Sequence, residues 1–528
     1  MRQHRTPRLL GTLLLVAAAG ISVVGAAPSA ADRTATPLGQ VVPAPAAVHA
    51  SGSPYRITSD ARIRVDDSRE ARRVGEYLAD ILRPSTGYRL PVTSQGGGSI
   101  QLRLGAKWLG DEGYRLDSGR DGVTITAGRP AGLFHGVQTL RQLLPPSVEK
   151  NSVQPGPWLV AGGTIKDTPR YGYRGAMLDV SRHFFTVGQV KRYIDELALY
   201  KVNKLHLHLS DDQGWRIAID SWPRLAPYGG STQVGGGQGG YYTKAQYKEI
   251  VQYAASRYLE VVPEIDMPGH TNAALASYAE LNCDGVAPPL YTGTDVGFSS
   301  LCVGKPVTYD FVDDVIRELA AITPGRYLHI GGDEAHSTSH ADYVTFMDKV
   351  QPVVAKYGKT VIGWHQLTGA TPAKGAIAQY WGLDDTSAEE KAQVAKAAQN
   401  GTGLVLSPAD RIYLDMKYTA DTPLGLDWAG LVEVKRSYDW DPGTYLPGAP
   451  SSAVRGVEAP LWTETILNSA HIDYMAFPRL PGAAELGWSP ASTHDWDTYK
   501  VRLAAQGPRW DALGIGYYRS PQVPWPSA

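Results

Sequence analysis

From residue 171 onward, the chain alternates short apolar runs with longer segments in which apolar residues recur at helical spacing. Two of the helical segments open with a capping box, Thr186 with Gln189 and Thr243 with Gln246. Short buried strands that alternate with amphipathic helices are typical of a parallel sheet. The candidate strands are residues 173–180, 204–209, 259–264, 327–330, 361–364, 377–381, 403–406 and 456–462. These eight strands with their helices predict a (β/α)8 TIM barrel over residues 171–528.

Residues 51–170 have a mixed pattern. It predicts strands at 63–65 and 99–104, a hairpin-like pair at 114–116 and 123–127, and helices at 71–82 and 132–144. Elements of this size predict a small α+β domain. It holds no cluster of acids, His or Cys suited to chemistry, so we interpret it as non-catalytic. Residues 32–50 are rich in Ala, Pro and Val and predict a linker that enters a first strand.

The first 31 residues combine a basic start, a long apolar run and small residues after it. This is the pattern of a secretory signal peptide. An uncleaved anchor helix is the alternative, because the apolar run is long for a signal peptide. No second long apolar stretch follows, so we expect a secreted protein with no membrane contact after cleavage.

Composition argues against nucleic-acid partners. The formal charge is −1, and the predicted signal peptide carries three arginines and no acid, which leaves −4 for the rest. Residues 333–336 spell the DEAH box of helicases, but the phosphate loop that should precede it is missing, and the nearest candidate at 353–360 lacks the first glycine. The glycine-rich run 235–240 matches GxGxxG but follows no strand, and we interpret it as a loop.

The chain has only two cysteines, Cys283 and Cys302. In an exported protein such a pair predicts a structural disulfide. Two cysteines alone make a poor zinc site, and no metal is expected.

Chemically active side chains follow the predicted strands. In chain order they are Arg182 and His183, Asp211 and Asp212, Asp266 and His270, Asp333 and Glu334, Trp364, Trp381, Tyr413 and Asp415, and Trp462 and Glu464. Each has an ordinary explanation by itself, such as a helix cap or a core residue. Their recurrence at strand ends predicts an active site there, because barrel enzymes carry their sites at that end. Tryptophans that stack on sugar faces and charged groups that bind hydroxyls would suit a carbohydrate.

Residues 327–336, read YLHIGGDEAH, place two carboxylates side by side after a short strand. A glycosidase with a protein nucleophile needs carboxyls about 5 Å apart on opposite sides of the sugar. Chain neighbours cannot easily flank a sugar in this way. One of them can protonate the leaving oxygen, while the substrate supplies the nucleophile.

The HIGGDE sequence within this motif resembles the signature of glycoside hydrolase family 20, the β-N-acetylhexosaminidases. The resemblance extends over residues 171–510, and family members often carry a small non-catalytic domain before the barrel. It implies an exo-acting, retaining enzyme that needs no cofactor. Its substrates would be chitooligosaccharides or glycans with a terminal β-linked GlcNAc or GalNAc, cleaved through an oxazolinium intermediate.

The resemblance also implies roles for single residues. Glu334 matches the general acid/base, Asp333 the residue that orients the 2-acetamido group, and Tyr413 the donor to the acetamido oxygen. The implied substrate-binding residues are Arg182, Trp364, Trp381, Asp415, Trp428, Trp462 and Glu464.

Further expectations concern the surroundings of the acid. Asp211, Asp266 and His270 are expected to form a hydrogen-bonded chain toward Glu334. Beside an anionic neighbour, Glu334 should hold its proton more tightly than a free Glu. Where the family often has His-Trp-His, this chain has His-Leu-His, and Leu207 is expected to face away from the site.

Other functions remain open at this stage. The family includes enzymes that release a disaccharide, and the sequence does not show whether residues 288–300 open or close the pocket. A chitinase-like barrel would need a DxxDxDxE run, which is missing. A secreted sugar-binding protein that lost its chemistry is disfavoured by the intact Asp333, Glu334 and Tyr413. Oligomeric state and sugar preference are not predicted.

Overall fold

The computed structural model describes residues 34–526, which form a small N-terminal domain and a barrel. The predicted signal peptide lies outside the described residues. Among the helices of residues 34–526, none has the length and apolar character needed to cross a membrane.

The N-terminal domain is a mixed sheet covered by two helices. Its strands are β1 (Ala47–Ala50), β2 (Tyr55–Ile57), β3 (Ile63–Val65), β4 (Val92–Thr93), β5 (Ile100–Leu104), β6 (Tyr114–Gly119), β7 (Gly122–Ala127), β8 (Trp158–Val160) and β9 (Gly163–Asp167). Its helices are α1 (Arg69–Thr86) and α2 (Pro130–Leu143). The main sheet has the order β1-β9-β6-β7-β5-β3-β4, and β2 pairs with β8. The predicted α+β domain, with its hairpin β6–β7, is therefore confirmed.

The linker predicted at residues 32–50 is wrong for the residues that the structure describes. Val41 and Val42 are fully buried, and the Val42 amide donates to Gln142 Oε1 of α2 at 2.9 Å. Ala47–Ala50 then pairs with β9 as an edge strand. The small apolar residues that suggested a linker fill the space between the two domains instead. The amide of Ala44, for example, donates to Glu485 Oε2 of the barrel domain at 2.9 Å.

Eight parallel strands close the barrel, as predicted. They are β10 (Tyr173–Asp179), β11 (Lys204–His208), β14 (Glu260–Glu264), β15 (Tyr327–His329), β16 (Thr360–Trp364), β17 (Ile377–Tyr380), β18 (Gly403–Leu406) and β19 (Val454–Leu461). A short hairpin, β12 (Ser210–Asp211) with β13 (Gly214–Trp215), follows the second barrel strand. Every predicted barrel strand is present, with ends that differ by at most two residues.

Helices surround the barrel, and both predicted capping boxes are formed. The helices are α3 (Val187–Leu199), α4 (Leu225–Gly229), α5 (Lys244–Ser256), α6 (Asn272–Ser277), α7 (Pro306–Ala321), α8 (His340–Lys356), α9 (Ala388–Gln399), α10 (Ala409–Ile412), α11 (Val434–Tyr438), α12 (Ser469–Ala476), α13 (Arg479–Trp488), α14 (Trp496–Ala504) and α15 (Gly507–Leu513).

The barrel interior is layered. One buried apolar layer contains Tyr173, Val262, Ile362, Ile377 and Val405. A second, aromatic layer contains Trp364, Tyr413 and Trp462. Leu207 belongs instead to the large core shared with the helices, so it faces away from the site as expected.

Cys283 and Cys302 form the predicted disulfide. It closes the segment that leads from α6 to α7, and this segment lies over the strand ends. Its Ser299 hydroxyl donates to Asp212 Oδ1 at 2.5 Å, and its Gly293 carbonyl accepts from Gln213 Nε2 at 2.9 Å.

Candidate active site

Two glycines let the chain turn where β15 ends. Gly331 and Gly332 have φ of 69° and 99°, the left-handed region that favours glycine. A Cβ on Gly331 would collide with the carboxylate of Asp266, and one on Gly332 would press on Tyr343. Asp333 and Glu334 therefore lie beyond the regular strand, and both can reach one pocket.

A hydrogen-bonded chain leads from the second strand end to Glu334. Asp211 Oδ1 lies 3.0 Å from His270 Nδ1, and His270 Nε2 lies 3.2 Å from Glu334 Oε2. His270 Nε2 is also 3.6 Å from Asp333 Oδ2. Asp266 does not join this chain but accepts from the Gly332 amide at 3.0 Å. Of the three residues expected in the chain, the structure thus places Asp211 and His270 there, with Asp266 beside Asp333.

The two neighbouring acids have opposite pKa shifts. Burial raises the pKa of Glu334, but the hydrogen bond and charge of His270 outweigh burial and hold that pKa below its ordinary value. Burial and the adjacent Glu334 raise the pKa of Asp333. The expectation that Glu334 holds its proton more tightly is therefore wrong. A cationic imidazole at hydrogen-bond distance has a larger effect than the anionic neighbour.

Aromatic side chains form the walls of the pocket beside these acids. The Trp364 and Trp462 rings lie 5.8 Å apart, and the Tyr413 ring lies 6.3 Å from that of Trp462. Trp381 and Trp428 continue the wall toward solvent, with ring centroids 6.0 Å apart. Trp428 is 49% exposed and stands at the rim.

Burial keeps the hydroxyl of Tyr413 protonated. Burial first, and then the charges of Asp333 and Asp415, raise the pKa of this phenol well above its ordinary value. At neutral pH Tyr413 is therefore a hydrogen-bond donor that faces the acids.

The charged residues predicted to bind hydroxyls lie near one another in the pocket. Arg182 lies within 3.3 Å of Asp179 Oδ2 and 3.2 Å of Asp211 Oδ2, and its guanidinium packs over the Trp462 ring. Burial and the neighbouring Glu464 raise the pKa of Asp415. Burial likewise raises the pKa of Glu464, while Arg182 opposes that shift.

Three of the carboxylates proposed to contact the sugar each have a buried oxygen with no hydrogen-bond partner within residues 34–526. These oxygens are Asp333 Oδ1, Asp415 Oδ2 and Glu464 Oε2. An unpaired buried oxygen costs about 1–3 kcal/mol, so such atoms mark positions where a polar ligand is favoured. The pocket thus combines aromatic stacking surfaces with buried carboxylate oxygens that can accept hydrogen bonds from hydroxyl groups, and this combination suits a sugar.

Sequence analysis missed several residues that support the site. Asp179 and Gln213 both hold Arg182, and Glu264, His206 and His208 extend the chain of ion pairs below Asp211. Charged residues inside otherwise apolar predicted strands were the available signal. A charge in a fully buried strand must be paired or hydrogen-bonded, so its position implies a partner.

Some of these residues lie close enough to share a cation. The nitrogen and oxygen atoms of His206, Glu264 and His329 lie within 4.8 Å of one another, and so do those of Asp211, Asp212 and His270. The ring nitrogens of His206 and His270 already face carboxylate oxygens in hydrogen bonds. A metal ion would have to displace these bonds, so the chemistry of the donors fits ion pairs better. The expectation of no metal stays a prediction.

A large cavity lies away from the strand ends. It has a volume of about 1210 Å³ and separates α1 of the N-terminal domain from α3 and α5 of the barrel. Arginines and acids alternate on its walls, and several already pair with one another, as Arg257 does with Asp195 at 2.8 Å. We do not assign the active site to this groove, because the strand ends hold the convergent polar and aromatic groups that chemistry needs.

Two family models match the chain in consecutive blocks. The model "Glycosyl hydrolase family 20, catalytic domain" matches residues 171–491, and "Glycosyl hydrolase family 20, domain 2" matches residues 39–168. The chain belongs to glycosyl hydrolase family 20. The second match begins inside residues 32–50, in agreement with the packing of that stretch in this family 20 enzyme.

Named relatives agree with the family. The enzyme is 43% identical over 491 residues to a beta-N-acetylhexosaminidase from Cellulomonas fimi, which covers 92% of the chain and 97% of the relative. It is 79% identical, with a TM-score of 0.93, to a GH20 beta-N-acetylhexosaminidase structure from Streptomyces coelicolor A3(2), covering 93% and 100% of the two chains. The same identity and TM-score, with coverage of 93% and 99%, relate it to a mutant beta-hexosaminidase from Streptomyces plicatus in complex with the product GlcNAc.

Proposed function

We propose that this family 20 enzyme is an exo-acting, retaining β-N-acetylhexosaminidase. It removes terminal β-linked GlcNAc or GalNAc from chitooligosaccharides or glycan ends by substrate-assisted catalysis. The relatives named above support the activity, and the product complex of the Streptomyces plicatus relative supports GlcNAc as the released sugar.

One geometric observation carries the mechanism. Glu334 Oε2 and Asp333 Oδ2 lie 3.2 and 3.6 Å from the same atom, Nε2 of His270. Both acids therefore approach the sugar from one side and cannot flank its anomeric carbon. A retaining mechanism then needs a nucleophile from elsewhere, and the 2-acetamido oxygen of the substrate is correctly placed for this role.

The residues then take distinct roles in cleavage. Glu334 donates a proton to the leaving oxygen as the acetamido oxygen attacks the anomeric carbon and the glycosidic bond breaks. Asp333 accepts the acetamido N–H and stabilises the positive charge that develops on nitrogen. Tyr413 donates to the acetamido oxygen and aligns it for attack.

Breakdown of the cyclic oxazolinium intermediate reverses these roles. Glu334, now ionised, removes a proton from water as that water attacks the anomeric carbon, and the product keeps the β configuration. The lowered pKa of Glu334 suits this second step, because it favours the ionised form.

The pocket walls bind the sugar in place. Trp364, Trp381 and Trp462 stack on its apolar faces, and Trp428 at the rim reaches the leaving group. Arg182, Asp415 and Glu464 bind the hydroxyls. Their unpartnered carboxylate oxygens would gain hydrogen bonds from the ligand.

Two nitrophenyl glycosides test this function. The enzyme should hydrolyse the β-N-acetylglucosaminide at least about 10³-fold faster than the matching β-glucoside, because only the first carries the internal nucleophile. Comparable rates would contradict substrate assistance. Binding of GlcNAc without any turnover would indicate a sugar-binding protein instead.

An inhibitor and the product anomer give independent tests of the intermediate. A thiazoline analogue of the oxazolinium ion should bind at least about 10²-fold more tightly than GlcNAc. NMR during early turnover should show the β-anomer of GlcNAc first. If the α-anomer appears first, the reaction inverts configuration and the mechanism is wrong.

Secretion is a further part of the proposal. It is supported by the leader pattern in residues 1–31 and by the Cys283–Cys302 disulfide, which favours an oxidising compartment. Expression of the full chain in a bacterial host, followed by N-terminal sequencing of enzyme from the medium, would test it. Enzyme that stays in the membrane fraction with its leader attached would contradict it.

A further inference from the structure

An unbroken chain of carboxylates and imidazoles runs through the barrel interior to Glu334. Its links, with donor–acceptor distances, are Glu458 Oε1 to His206 Nδ1 (2.7 Å), His206 Nε2 to Glu264 Oε2 (2.8 Å), Glu264 Oε2 to His208 Nδ1 (2.6 Å), His208 Nε2 to Asp211 Oδ2 (2.5 Å), Asp211 Oδ1 to His270 Nδ1 (3.0 Å) and His270 Nε2 to Glu334 Oε2 (3.2 Å). Every member except Glu334 is at most 2% exposed. The proposed acid is thus the only solvent-accessible end of the chain.

The arrangement fixes the protonation of the three imidazoles. Both ring nitrogens of His206, His208 and His270 face carboxylate oxygens, and an ionised carboxylate can only accept hydrogen bonds. Each ring must therefore donate from both nitrogens, which makes it an imidazolium. Burial opposes this charge, but Glu458 and Glu264 outweigh it and raise the pKa of His206 to about 9.

Glu264 is the branch point of the chain. Its Oε2 accepts from His206 and His208, and its Oε1 accepts from the indole N–H of Trp364 at 2.9 Å. The nearby His329 Nδ1 is itself an acceptor, because it receives the amide of Gly331 at 3.0 Å. Glu264 thus orients Trp364, a wall of the sugar pocket, and also accepts from two imidazoles of the chain that ends at Glu334.

Further charged side chains surround the part of the chain that runs from His208 to Glu334. His208 faces Glu264, Asp211 and Asp266. His270 faces Asp211, Asp212, Asp333 and Glu334, and a carboxylate oxygen of Asp266 also lies within 4.8 Å of one of its ring nitrogens. Arg182 lies 3.2 Å from Asp211 Oδ2. Asp211 therefore contacts two cations besides His270, namely Arg182 and His208. His208 owes its positive charge in part to Glu264, which raises its pKa.

We propose that Glu264 and His208 are positioning residues for the general acid Glu334. They hold Asp211 in the orientation that keeps His270 doubly protonated and directed at Glu334 Oε2. The other oxygen of Glu334 is then free for the leaving group, and the cation stabilises the carboxylate that remains after proton transfer. This inference rests on the proposed function, because it assigns Glu334 the acid role.

Leaving groups of different basicity separate this role from a purely structural one. A leaving group with high pKa, such as the sugar of chitobiose, needs the acid, whereas nitrophenolate leaves without it. In Glu264→Gln and His208→Gln, we expect kcat for chitobiose to fall roughly 10- to 100-fold more than kcat for the nitrophenyl β-N-acetylglucosaminide. KM for both substrates should change in both variants, because Glu264 accepts from Trp364 and His208 packs edge-on against Trp462, so the ratio of the two kcat values is the readout.

Glu485→Gln is the matched control. Glu485 is an equally buried carboxylate of the barrel domain, paired with Arg502 at 2.6 Å, and it lies outside the chain. Its loss should lower the melting temperature without changing the ratio of the two kcat values. Equal losses on both substrates in Glu264→Gln and His208→Gln would overturn the proposal. If the wild type cleaves neither substrate, the proposed function fails first, so the two failures are distinguishable.

A measurement on the wild type covers the case in which the variants do not fold. In ¹⁵N-histidine-labelled enzyme at pH 7.5, three imidazoles should show both ring nitrogens protonated and should resist titration until the pH is well above 7. One of them should titrate near pH 9, as expected for His206. If all histidine signals are those of neutral tautomers, the chain is uncharged and the proposal is wrong.

Discussion

At the scale of single residues, Asp333 and Glu334 are neighbours in the chain but have different surroundings, and their pKa values differ as a result. Glu334 touches the cationic ring of His270 at 3.2 Å, whereas Asp333 is more deeply buried and lies against Asp266. Their pKa values shift in opposite directions for that reason. The proposed proton donor is thus the acid that is hydrogen-bonded to His270, and the proposed acetamido-binding acid is the one for which burial outweighs the charge of His270.

Replacement of the acid should depend on the leaving group. Glu334→Gln removes the proton donor but keeps the shape of the side chain, so kcat for chitobiose should fall about 10²- to 10⁴-fold. The first step with the nitrophenyl substrate should be affected far less, and added azide should speed its second step by replacing activated water. Steady-state kinetics with both substrates measures this. A uniform loss with both would argue against Glu334 as the proton donor.

Asp333→Asn should reduce activity without reducing stability. The amide cannot balance the charge that develops on the acetamido nitrogen, so kcat/KM should fall about 10²- to 10³-fold. The same change removes a buried charge that burial and Glu334 disfavour, so the melting temperature should stay equal or rise. Thermal unfolding and kinetics are measured on the same preparation.

Asp348→Asn provides the comparison for Asp333→Asn. Asp348 is an exposed residue of α8, and its replacement should change neither quantity. A clear fall in melting temperature for Asp333→Asn would mean that this carboxylate stabilises the fold. That result would contradict its assignment as a group that binds substrate and does not stabilise the protein.

At the scale of elements, the end of β15 is shaped by Gly331 and Gly332. Their positive φ values turn the chain toward the pocket, and the Gly331 amide donates to His329 Nδ1 while the Gly332 amide donates to Asp266. The turn therefore connects the acids to the third and fourth strands of the barrel. A short strand that ends in two glycines is what allows two consecutive acids to share a pocket.

Gly331→Ala should destabilise the protein by more than the backbone strain of an alanine with positive φ. An alanine with positive φ costs about 1 kcal/mol, and here its Cβ would also meet the Asp266 carboxylate. We expect a destabilisation clearly above that value and a loss of kcat of at least about 10-fold as the acids move. Gly358→Ala isolates the strain, because Gly358 has φ of 74° and open space around its Cβ position. Equal effects of the two variants would refute the steric argument.

The element pattern was largely predictable from sequence, and the contacts between elements were not. The eight barrel strands could be found because each is a short apolar run between amphipathic helices. The segments after these strands then contained the proposed ligands of the sugar except Trp428, which lies in the loop before α11. The chain of ion pairs escaped because the histidine partners of Glu264 lie on the neighbouring strand β11, and the register that places His208 opposite Glu264 cannot be derived from the sequence pattern. The packing of residues 34–46 escaped because small apolar residues suit both a linker and a domain interface.

At the scale of the whole molecule, the N-terminal domain supports the barrel at the end opposite to the site. Glu112 of that domain pairs with Arg174 at the start of β10 and accepts from Asn203, just before β11, at 3.0 Å. On the same face, Asp167 accepts from the indole of Trp488 at 3.0 Å. The domain thus holds the strand starts, while the strand ends are left to the substrate.

Glu112→Gln should weaken this interface without harming catalysis. Breaking a largely buried ion pair leaves Arg174, which is 1% exposed, without its counter-charge, and the cost should be roughly 3 kcal/mol. The melting temperature should fall while kcat at 25 °C stays within about twofold of wild type, because the pair lies at the far end of the barrel. Asp111→Asn is the matched control. Asp111 is 87% exposed opposite Arg129, so this change should cost under about 1 kcal/mol.

The stability gap between wild type and Glu112→Gln should depend on pH in a defined direction. Burial opposes ionisation of Glu112, but Arg174 and His135 outweigh it and hold the pKa of this carboxyl well below its ordinary value. A depressed folded-state pKa contributes stability that is present above the unfolded pKa, about 4.5, and is lost as pH falls toward the folded one. The difference in unfolding free energy should therefore be constant from pH 6 to 7.5 and shrink below about pH 4.5. Urea unfolding of both proteins across this range measures it, and a gap that widens in acid would show that the ion pair with Arg174 is not its source.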